Sequence, residues 1–231
     1  MYTVREVVGC VVASLFTLSY IIAPLYIVAA LIFCAVAPGM TSFIFAGPLV
    51  LSAVCPVIKM PWLLKTWPFQ CMLDYFDFET AFETSDDDLV ARLEELKKEG
   101  RSMIFAGQPH GVLSYGGLCA GIAADPRFTD LVTAAAGAVL STPVVKHVVG
   151  IYGLIDASAK SLTRRLAKGG AQGSVVLYAG GIAELFKTSE TEEILFINSR
   201  KGFIKLALRT VRLHCAVYVE VRLTGSVDAG S

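Results

Sequence analysis

The sequence predicts an α/β domain preceded by an N-terminal transmembrane helical hairpin. Two observations lead to this prediction. Of the 40 charged residues in the 231-residue chain, only Arg5 and Glu6 fall within residues 1–58. After residue 58, short apolar runs that suit buried strands alternate with helical patterns, as in α/β folds. The mean hydropathy of +0.62 is therefore an average over an apolar segment and a domain of ordinary composition.

The hairpin is predicted from 52 consecutive residues, 7–58, that carry no charge. About 20 apolar residues cross a hydrocarbon core of roughly 30 Å, so this length suits two crossings. Pro38-Gly39-Met40 marks a turn between spans of about 7–37 and 41–58. We therefore expect residues 1–58 to form a membrane hairpin.

The positive charges around the hairpin predict its orientation. Arg5 precedes the first span, Lys59 and Lys65 follow the second, and the turn carries none, so both ends should face the cytosol. Ala35-Val36-Ala37 is similar to a signal-peptide cleavage site. However, the apolar run before it is about twice the usual 7–15 residues, and a second run follows at once. A multi-pass membrane protein with both termini in the cytosol is therefore the favoured interpretation.

Residues 59–231 are expected to form one cytosolic α/β domain. Ser85 is predicted to cap a helix that Gly100 ends. Strands are predicted at Met103–Gly107, Val175–Tyr178 and Val217–Leu223, with a weaker one at Ile194–Ile197. Further helices are predicted at about Val112–Ala124, Pro143–Gly150, Ser158–Lys168 and Lys201–Arg209.

Two other features bear on the setting of the domain. Aromatic residues crowd the exit from the hairpin, where rings favour the headgroup level: Trp62, Trp67, Phe69, Tyr75, Phe76 and Phe78. The six cysteines contain no C-x-x-C pair, and three lie in the apolar runs, so neither a metal site nor a disulfide framework is expected. No nucleic-acid partner is expected for this chain of zero formal net charge.

The first candidate catalytic segment is Gln108-Pro109-His110-Gly111, which directly follows a predicted strand. Loops at strand ends often present reactive groups, and histidine is the usual general base at neutral pH. Pro109 restricts the backbone before the imidazole, and Gly111 opens the following amides to a substrate. Taken alone, these residues also suit a structural turn.

Two further segments could take part in chemistry. Gly180-Gly181-Ile182-Ala183-Glu184 follows another predicted strand, where glycines permit close backbone approach and Glu184 adds a carboxylate. Arg200, Lys201 and Lys205 surround the start of a predicted helix, where cations oppose the helix dipole unless an anion binds. No G-x-S-x-G serine-hydrolase motif and no dinucleotide-binding loop is present.

Together, these segments resemble the diacylglycerol acyltransferase 2 / monoacylglycerol acyltransferase family. The family's Pro-His-Gly or Pro-His-Ser block is similar to residues 108–111, although Gln108 replaces a histidine or glutamate. Its Gly-Gly-x-x-Glu block is similar to residues 180–184, and its Arg-Lys-Gly-Phe-x-Lys-Leu-Ala block to residues 200–207. The apolar hairpin and Asp74-Tyr75-Phe76 also fit the family.

The resemblance implies a membrane-bound, acyl-CoA-dependent O-acyltransferase of the endoplasmic reticulum with a glycerolipid-acyltransferase-like α/β domain. Its expected reaction acylates diacylglycerol to triacylglycerol, with His110 as general base and Glu184 as a second catalytic residue. The expected substrate contacts are Gln108, Pro109, Gly111, Gly180, Gly181, Arg200, Lys201 and Lys205. Acyl-CoA is a co-substrate, and no cofactor is implied.

Several alternatives remain open at this stage. A monoacylglycerol or wax alcohol could replace diacylglycerol as acceptor, and the aspartate that follows the histidine in related acyltransferases is Tyr115 here. The family pattern continues beyond Tyr218, whereas residues 219–231 diverge, so the domain is expected to be incomplete at its C-terminus. A non-catalytic membrane lipid-binding protein is the alternative from another class. A homo-oligomer is also left open.

Overall fold

The computed structural model describes residues 2–37, 39–80, 85–108, 113–128, 130–181, 186, 201–209 and 213–220. Its α-helices in this part of the chain are α1 (Val4–Val36), α2 (Met40–Val54), α3 (Trp67–Tyr75), α4 (Asp86–Lys98), α5 (Tyr115–Ala123), α6 (Gly137–Ser141), α7 (Val145–Gly150), α8 (Ala159–Leu166), α9 (Gly170–Gly173) and α10 (Gly202–Arg209). Its strands are β1 (Ser102–Gln108), β2 (Val132–Ala135), β3 (Ile155–Asp156), β4 (Val175–Tyr178) and β5 (Leu213–Glu220). Single turns of 3₁₀-helix occupy Pro61–Lys65 and Pro126–Phe128.

The strands form one parallel sheet in the order β3-β2-β4-β1-β5. β1 lies between β4 and β5, and helices provide the connections that parallel strands need. Side chains of β1 alternate between two core clusters, because successive residues of a strand point to opposite faces. Ile104 packs with α8, whereas Met103 and Phe105 pack with α4. The mixed α/β class predicted from the sequence is confirmed.

The long apolar helix α1 packs along the α/β domain through one face. Its buried residues are Gly9, Ala13, Phe16, Ala23 and Ala30, at the spacing of a single helical stripe. A third core cluster joins this stripe to α3, α5 and α7. The opposite face of α1 exposes large apolar side chains along the whole helix.

The start of α1 is held in register by polar contacts and by one close approach. Thr3 and Glu6 form a capping box, which satisfies two backbone N–H groups at the helix N-terminus. The Arg5 guanidinium lies 2.7 Å from the Asp74 carboxylate at the end of α3. At Gly9, a Cβ would lie 2.1 Å from the Cys71 carbonyl oxygen, so only glycine fits this contact.

Within the described part of the chain, α1 is the helix long and apolar enough to span a membrane, at 33 residues. α2 is apolar too, but its 15 residues extend about 22 Å, short of a hydrocarbon core of roughly 30 Å. α2 contacts α1 through a stacked Phe33–Phe45 pair and a hydrogen bond from the Tyr26 hydroxyl to the Phe45 carbonyl. The structure thus supplies one candidate span, and α2 ends at Val54, before the predicted end of the second span.

The C-terminal end of α2 is fixed to α7. The buried Lys146 ammonium donates hydrogen bonds to the carbonyls of Ala53 and Cys55, at 2.9 and 3.0 Å. The His147 ring lies 3.0 Å from the Ser52 carbonyl. These contacts satisfy carbonyl groups that a helix end leaves without partners. His147 therefore has a structural position where α7 meets the end of α2.

The predicted elements need several corrections. β2 and β3 were not predicted, because β2 (Val132–Ala135) contains two alanines, which do not favour strands, and β3 is only two residues long. The last strand spans Leu213–Glu220 rather than 217–223, and the weak strand at 194–197 lies outside the described residues. Ser85 caps α4 as predicted, accepting a hydrogen bond from the Asp88 amide. Five of the six cysteines, Cys10, Cys34, Cys55, Cys71 and Cys119, are free, and Cys71 and Cys119 are buried.

The aromatic cluster after the hairpin divides into two groups. Trp62 and Trp67 are exposed, at 62% and 51%, in agreement with an interfacial position. Phe69, Phe76 and Phe78 instead pack against the core cluster that α1 shares with the domain. For these three rings the interfacial position stays a prediction.

Candidate functional site

The candidate site lies at the edge of the sheet where β1 and β4 end. The two strands are parallel neighbours, and Gly107 of β1 is in register with Tyr178 of β4. Residues 109–111 directly follow β1, and Gly180-Gly181 follow β4 after one residue. β1 and β4 therefore end side by side, at the edge of the sheet where open α/β folds bind ligands.

The structure describes only some of the predicted site residues. Gln108 is the last residue of β1, and Gly180, Gly181, Lys201 and Lys205 are described. The remaining site residues lie outside the described part of the chain: Pro109, His110, Gly111, Glu184 and Arg200. Their assigned roles stay predictions.

The two glycines after β4 differ in their structural surroundings. Gly180 is buried. Gly181 has a φ of +57°, and nothing lies within 4 Å of the position a Cβ would take. Glycine is therefore favoured at position 181 by the backbone conformation and not by a lack of space, because a left-handed backbone is disfavoured for residues with a side chain. The chain can thus turn sharply away from the end of β4.

The predicted cationic helix start corresponds to α10. Leu206 and Ala207 pack against the core cluster formed by β1, β4 and α8. Lys201 and Lys205 are exposed, four residues apart, and so share one side of the helix. A crossover helix runs antiparallel to the parallel strands that it joins, so α10 begins on the side of the sheet where β1 and β4 end. The two lysines are therefore on the same side as the strand ends.

Tyr178 is a residue of this edge that the sequence reasoning missed. Its ring lies against Gly107 and Gly117, where a Cβ would be 2.9 Å from the Tyr178 Cε1 and 2.2 Å from its hydroxyl oxygen. Burial raises the pKa of the Tyr178 phenol, and a hydrogen bond with the Ser114 side chain partly opposes this rise. The ring thus contacts β1 just before residues 109–112 and α5 just after them. The only sequence signal was its position immediately before Ala179 and the glycine pair.

The start of α5, on the other side of residues 109–112, also contacts α1. Ser114 precedes α5 with a φ of +48°, an uncommon conformation for a residue with a side chain. The hydroxyl of Tyr115, the next residue, donates to the Ala13 carbonyl at 3.1 Å and also pairs with the Thr17 hydroxyl. The position expected to hold an aspartate is therefore a tyrosine that binds the apolar helix α1.

The described residues of the site are either uncharged or positively charged. Among the described residues, no three histidine, cysteine, aspartate or glutamate side chains cluster closely enough to hold a metal ion. The arrangement offers two adjacent strand ends, a tyrosine–serine hydroxyl pair and two exposed ammonium groups. Such a set suits a substrate that carries both a polar reacting group and anionic groups.

Comparison with known proteins adds the family. The family model described as diacylglycerol acyltransferase matches residues 88–219, more than half of the chain. The matched region includes β1, β4, β5 and the candidate site. No solved structure matches the chain.

Individual relatives match a shorter region. Human diacylglycerol O-acyltransferase 2-like protein 6 is 33% identical over 116 residues, which cover 46% of this chain and 34% of the relative. Human diacylglycerol O-acyltransferase 2 is 26% identical over 115 residues, which cover 47% and 30%. Human 2-acylglycerol O-acyltransferase 3 is 29% identical over 134 residues, which cover 55% and 38%. The chain thus spans roughly a third of the length of these relatives.

Proposed function

The chain belongs to the diacylglycerol acyltransferase family, and from this premise we propose that it transfers an acyl group from acyl-CoA to the free hydroxyl of diacylglycerol. The observation that supports the proposal most directly is the register of Gly107 with Tyr178. It makes the segments containing His110 and Glu184 start from neighbouring strand ends. We therefore propose that these two groups, from distant parts of the sequence, act on one substrate.

In the proposed reaction, His110 removes the proton from the acceptor hydroxyl. The resulting alkoxide oxygen attacks the thioester carbonyl, an ester bond forms, and the carbon–sulfur bond breaks. CoA leaves as the thiolate and accepts the proton held by the His110 imidazolium, which restores the neutral base. Backbone amides near Gly111 are the proposed donors to the negative oxygen of the tetrahedral intermediate. Glu184 is proposed to orient the imidazole or bind the acceptor hydroxyl.

The cations of the site are proposed to bind the phosphate groups of CoA. Lys201 and Lys205 are exposed at the start of α10, and Arg200 directly precedes them. Ammonium and guanidinium groups form charge-assisted hydrogen bonds with phosphate oxygens. Gln108, Pro109, Gly180 and Gly181 are proposed to shape the approach to the acyl group.

The proposed location is the membrane of the endoplasmic reticulum. Residues 1–58 are proposed as the membrane segment with both ends in the cytosol, and residues 59–231 as the cytosolic domain. α1 supports one crossing through its length and its exposed apolar face. The boundary at residue 58 is proposed for membrane placement only. It does not divide the packing, because Ala13 and Phe16 of α1 share a core with the domain.

A monoacylglycerol acceptor is the second candidate function. The similarity to human 2-acylglycerol O-acyltransferase 3 extends over 55% of this chain, further than for the two diacylglycerol relatives above. Both acceptors present an alcohol on an apolar body, so the same general-base chemistry applies to each. Supplying each alcohol separately with labelled acyl-CoA would distinguish them.

The test of the proposed function is the His110→Ala substitution in cells that lack their own acylglycerol acyltransferases. We expect microsomal acyl transfer to fall by about 10²-fold or more at an unchanged protein level, because a general base is lost. His214→Ala provides the control, since His214 is the second residue of β5, at the edge of the sheet where the strands begin and opposite the candidate site. Activity retained in the His110 variant would contradict the assignment of the base.

A further inference from the structure

One tyrosine ring contacts the chain on both sides of residues 109–112. Tyr178 is the last residue of β4, and its ring lies against Gly107 of β1, where an added Cβ would be 2.9 Å from the ring's Cε1. The Tyr178 hydroxyl lies against Gly117 in the first turn of α5. An added Cβ at Gly117 would also be 2.9 Å from the Ser114 Oγ, so both hydroxyls border the same point, and they form a hydrogen bond. The ring therefore reaches from the end of β1 to the start of α5.

Glycine at both contact positions makes room for this ring. A Cβ at Gly107 or Gly117 would lie closer to Tyr178 than real side-chain carbons approach, so a larger residue at either position would displace the ring. Ser114, which bonds to the hydroxyl, has a φ of +48°. This conformation costs free energy for a residue with a side chain and persists only where the surrounding structure holds it. The hydrogen bond with Tyr178 is one contact that holds it.

The segment between these two contacts contains the proposed base, His110. Residues 109–112 join Gln108, the end of β1, to Leu113. Four residues can join two ends up to about 17 Å apart, so the length of the segment does not fix the separation of its ends. The end of β1 is fixed by pairing with β4 and β5, and Leu113 packs against the core cluster that α1 shares with the domain. Tyr178 contacts the chain at both ends and so fixes one relative to the other.

We infer that Tyr178 is a positioning residue for the acyl transfer and acts through His110. The inference rests on the proposed function and on the assignment of His110 as the general base. By bonding to Ser114, the Tyr178 hydroxyl sets the separation of the two ends of residues 109–112 and thereby the reach of the imidazole to the acceptor hydroxyl. A base must lie within hydrogen-bonding distance of the proton that it removes, and a displacement of about 1 Å can cost about 10²-fold in rate. A ring that only filled the core would not need its hydroxyl for catalysis.

Two variants that remove the hydrogen bond provide the test. Tyr178→Phe keeps the ring against Gly107 and removes only the hydroxyl, and Ser114→Ala removes the partner of that hydroxyl. With the full chain, labelled acyl-CoA and diacylglycerol, we expect kcat to fall by about tenfold or more in each variant. The KM for acyl-CoA should stay unchanged, because neither hydroxyl is proposed to bind CoA. The double variant should lose no more activity than either single variant, since both changes remove the same bond.

Tyr26→Phe is the matched control. The Tyr26 hydroxyl donates to the Phe45 carbonyl and joins α1 to α2, so this variant also loses a tyrosine hydrogen bond between two elements. We expect its kcat to equal that of the unchanged protein. Thermal unfolding in detergent should shift by a similar small amount in Tyr26→Phe and Tyr178→Phe, because each loses a hydroxyl group that forms a hydrogen bond. A loss of kcat only in the Tyr178 and Ser114 variants then separates positioning from general destabilisation.

Combining Tyr178→Phe with His110→Ala identifies the group through which the hydroxyl acts. Tyr178→Phe should leave the residual transfer of the His110→Ala variant unchanged, because no imidazole remains to be positioned. The same fold loss in both backgrounds, an unchanged kcat in Tyr178→Phe, or an equal loss in Tyr26→Phe would overturn the inference and leave the proposed function intact. Full activity of His110→Ala would overturn the proposed base and, with it, the role of Tyr178. No acyl transfer by the unchanged chain would overturn the proposed function itself, and this inference with it.

Discussion

The helices α1 and α2 have nearly the same apolar character but different relations to the α/β domain. Neither helix carries a charge after Glu6. α1 buries five residues in one stripe, whereas α2 has no buried residue. The small side chains of the α1 stripe admit neighbouring helices, and α2 is instead attached through the carbonyl groups at its C-terminal end. Apolar composition thus indicates that a helix avoids water, but not what it packs against.

The largest expected effect is that of removing the Phe16 ring, which lies on the buried face of α1. Phe16 is 6% exposed and contacts the rings of Tyr20, Tyr115 and Tyr152. Phe16→Ala should cost about 4 kcal/mol, because it leaves a cavity where α1 meets the domain. Leu25→Ala, at a position 65% exposed on the same helix, should cost well under about 1 kcal/mol. Thermal unfolding in detergent measures both, and equal shifts would contradict the packed stripe.

A second test compares one glycine of each helix. Gly9→Ala should cost about 2 kcal/mol, since the added methyl group would lie 2.1 Å from the Cys71 carbonyl oxygen and force α1 away from α3. Gly47→Ala on α2 meets nothing within 4 Å and should be neutral or slightly stabilising, because alanine favours a helix. The unfolding temperature of each variant, compared with that of the unchanged protein, measures both effects. A harmless Gly9→Ala would show that α1 and α3 do not pack closely.

The attachment of α2 can be tested at Lys146. Lys146→Met should cost about 1.5 kcal/mol, because two carbonyls at the end of α2 lose their donor while the buried aliphatic stem is kept. Lys98→Met, at an exposed site in the last turn of α4, is the control and should change little. Limited proteolysis near residue 55 should become faster only in the Lys146 variant. Unchanged cleavage there would mean that α2 is held by other contacts.

The smallest expected effect on stability connects α1 to the candidate site. Thr17→Val removes the hydroxyl that pairs with Tyr115 at the start of α5 and should cost about 1 kcal/mol. Ser19→Ala removes a hydroxyl whose hydrogen bond, among the described residues, goes to the carbonyl of Phe16 in its own helix, so it should have almost no effect. Acyl transfer measured at equal protein levels should fall in the Thr17 variant alone. Full activity there would indicate that α1 does not influence the start of α5.

Strong local signals were sufficient to predict most of the domain. The strands β1 and β4 and the helices α4, α5, α7, α8 and α10 all have apolar periodicity or capping residues, so their positions follow from local physics. β2 and β3 were not predicted, because the two alanines of β2 do not favour a strand and the two residues of β3 do not establish a period. Their strand conformation comes from pairing with neighbours, and Val132 and Thr133 pair with Val175 and Val176 of β4.

The candidate site divides in the same way. Gly181 was selected from its place after a strand, and its φ of +57° gives the physical reason for a glycine. Tyr178 was not selected, because its contacts with Gly107 and Gly117 depend on residues about 60–70 positions away in the sequence. A tyrosine inside an apolar run has no local feature that distinguishes a core ring from a ring beside a site.

The sequence alone determined the α/β class, the long apolar start and the segments that match the acyltransferase family, because composition, periodicity and motifs are local properties. The tertiary structure decided that β1 and β4 are neighbours, that one face of α1 packs into the domain, and that α2 is attached to α7 through its C-terminal end. These outcomes depend on contacts between distant residues, and such contacts are selected by the shape and charge of the whole fold rather than by any one segment.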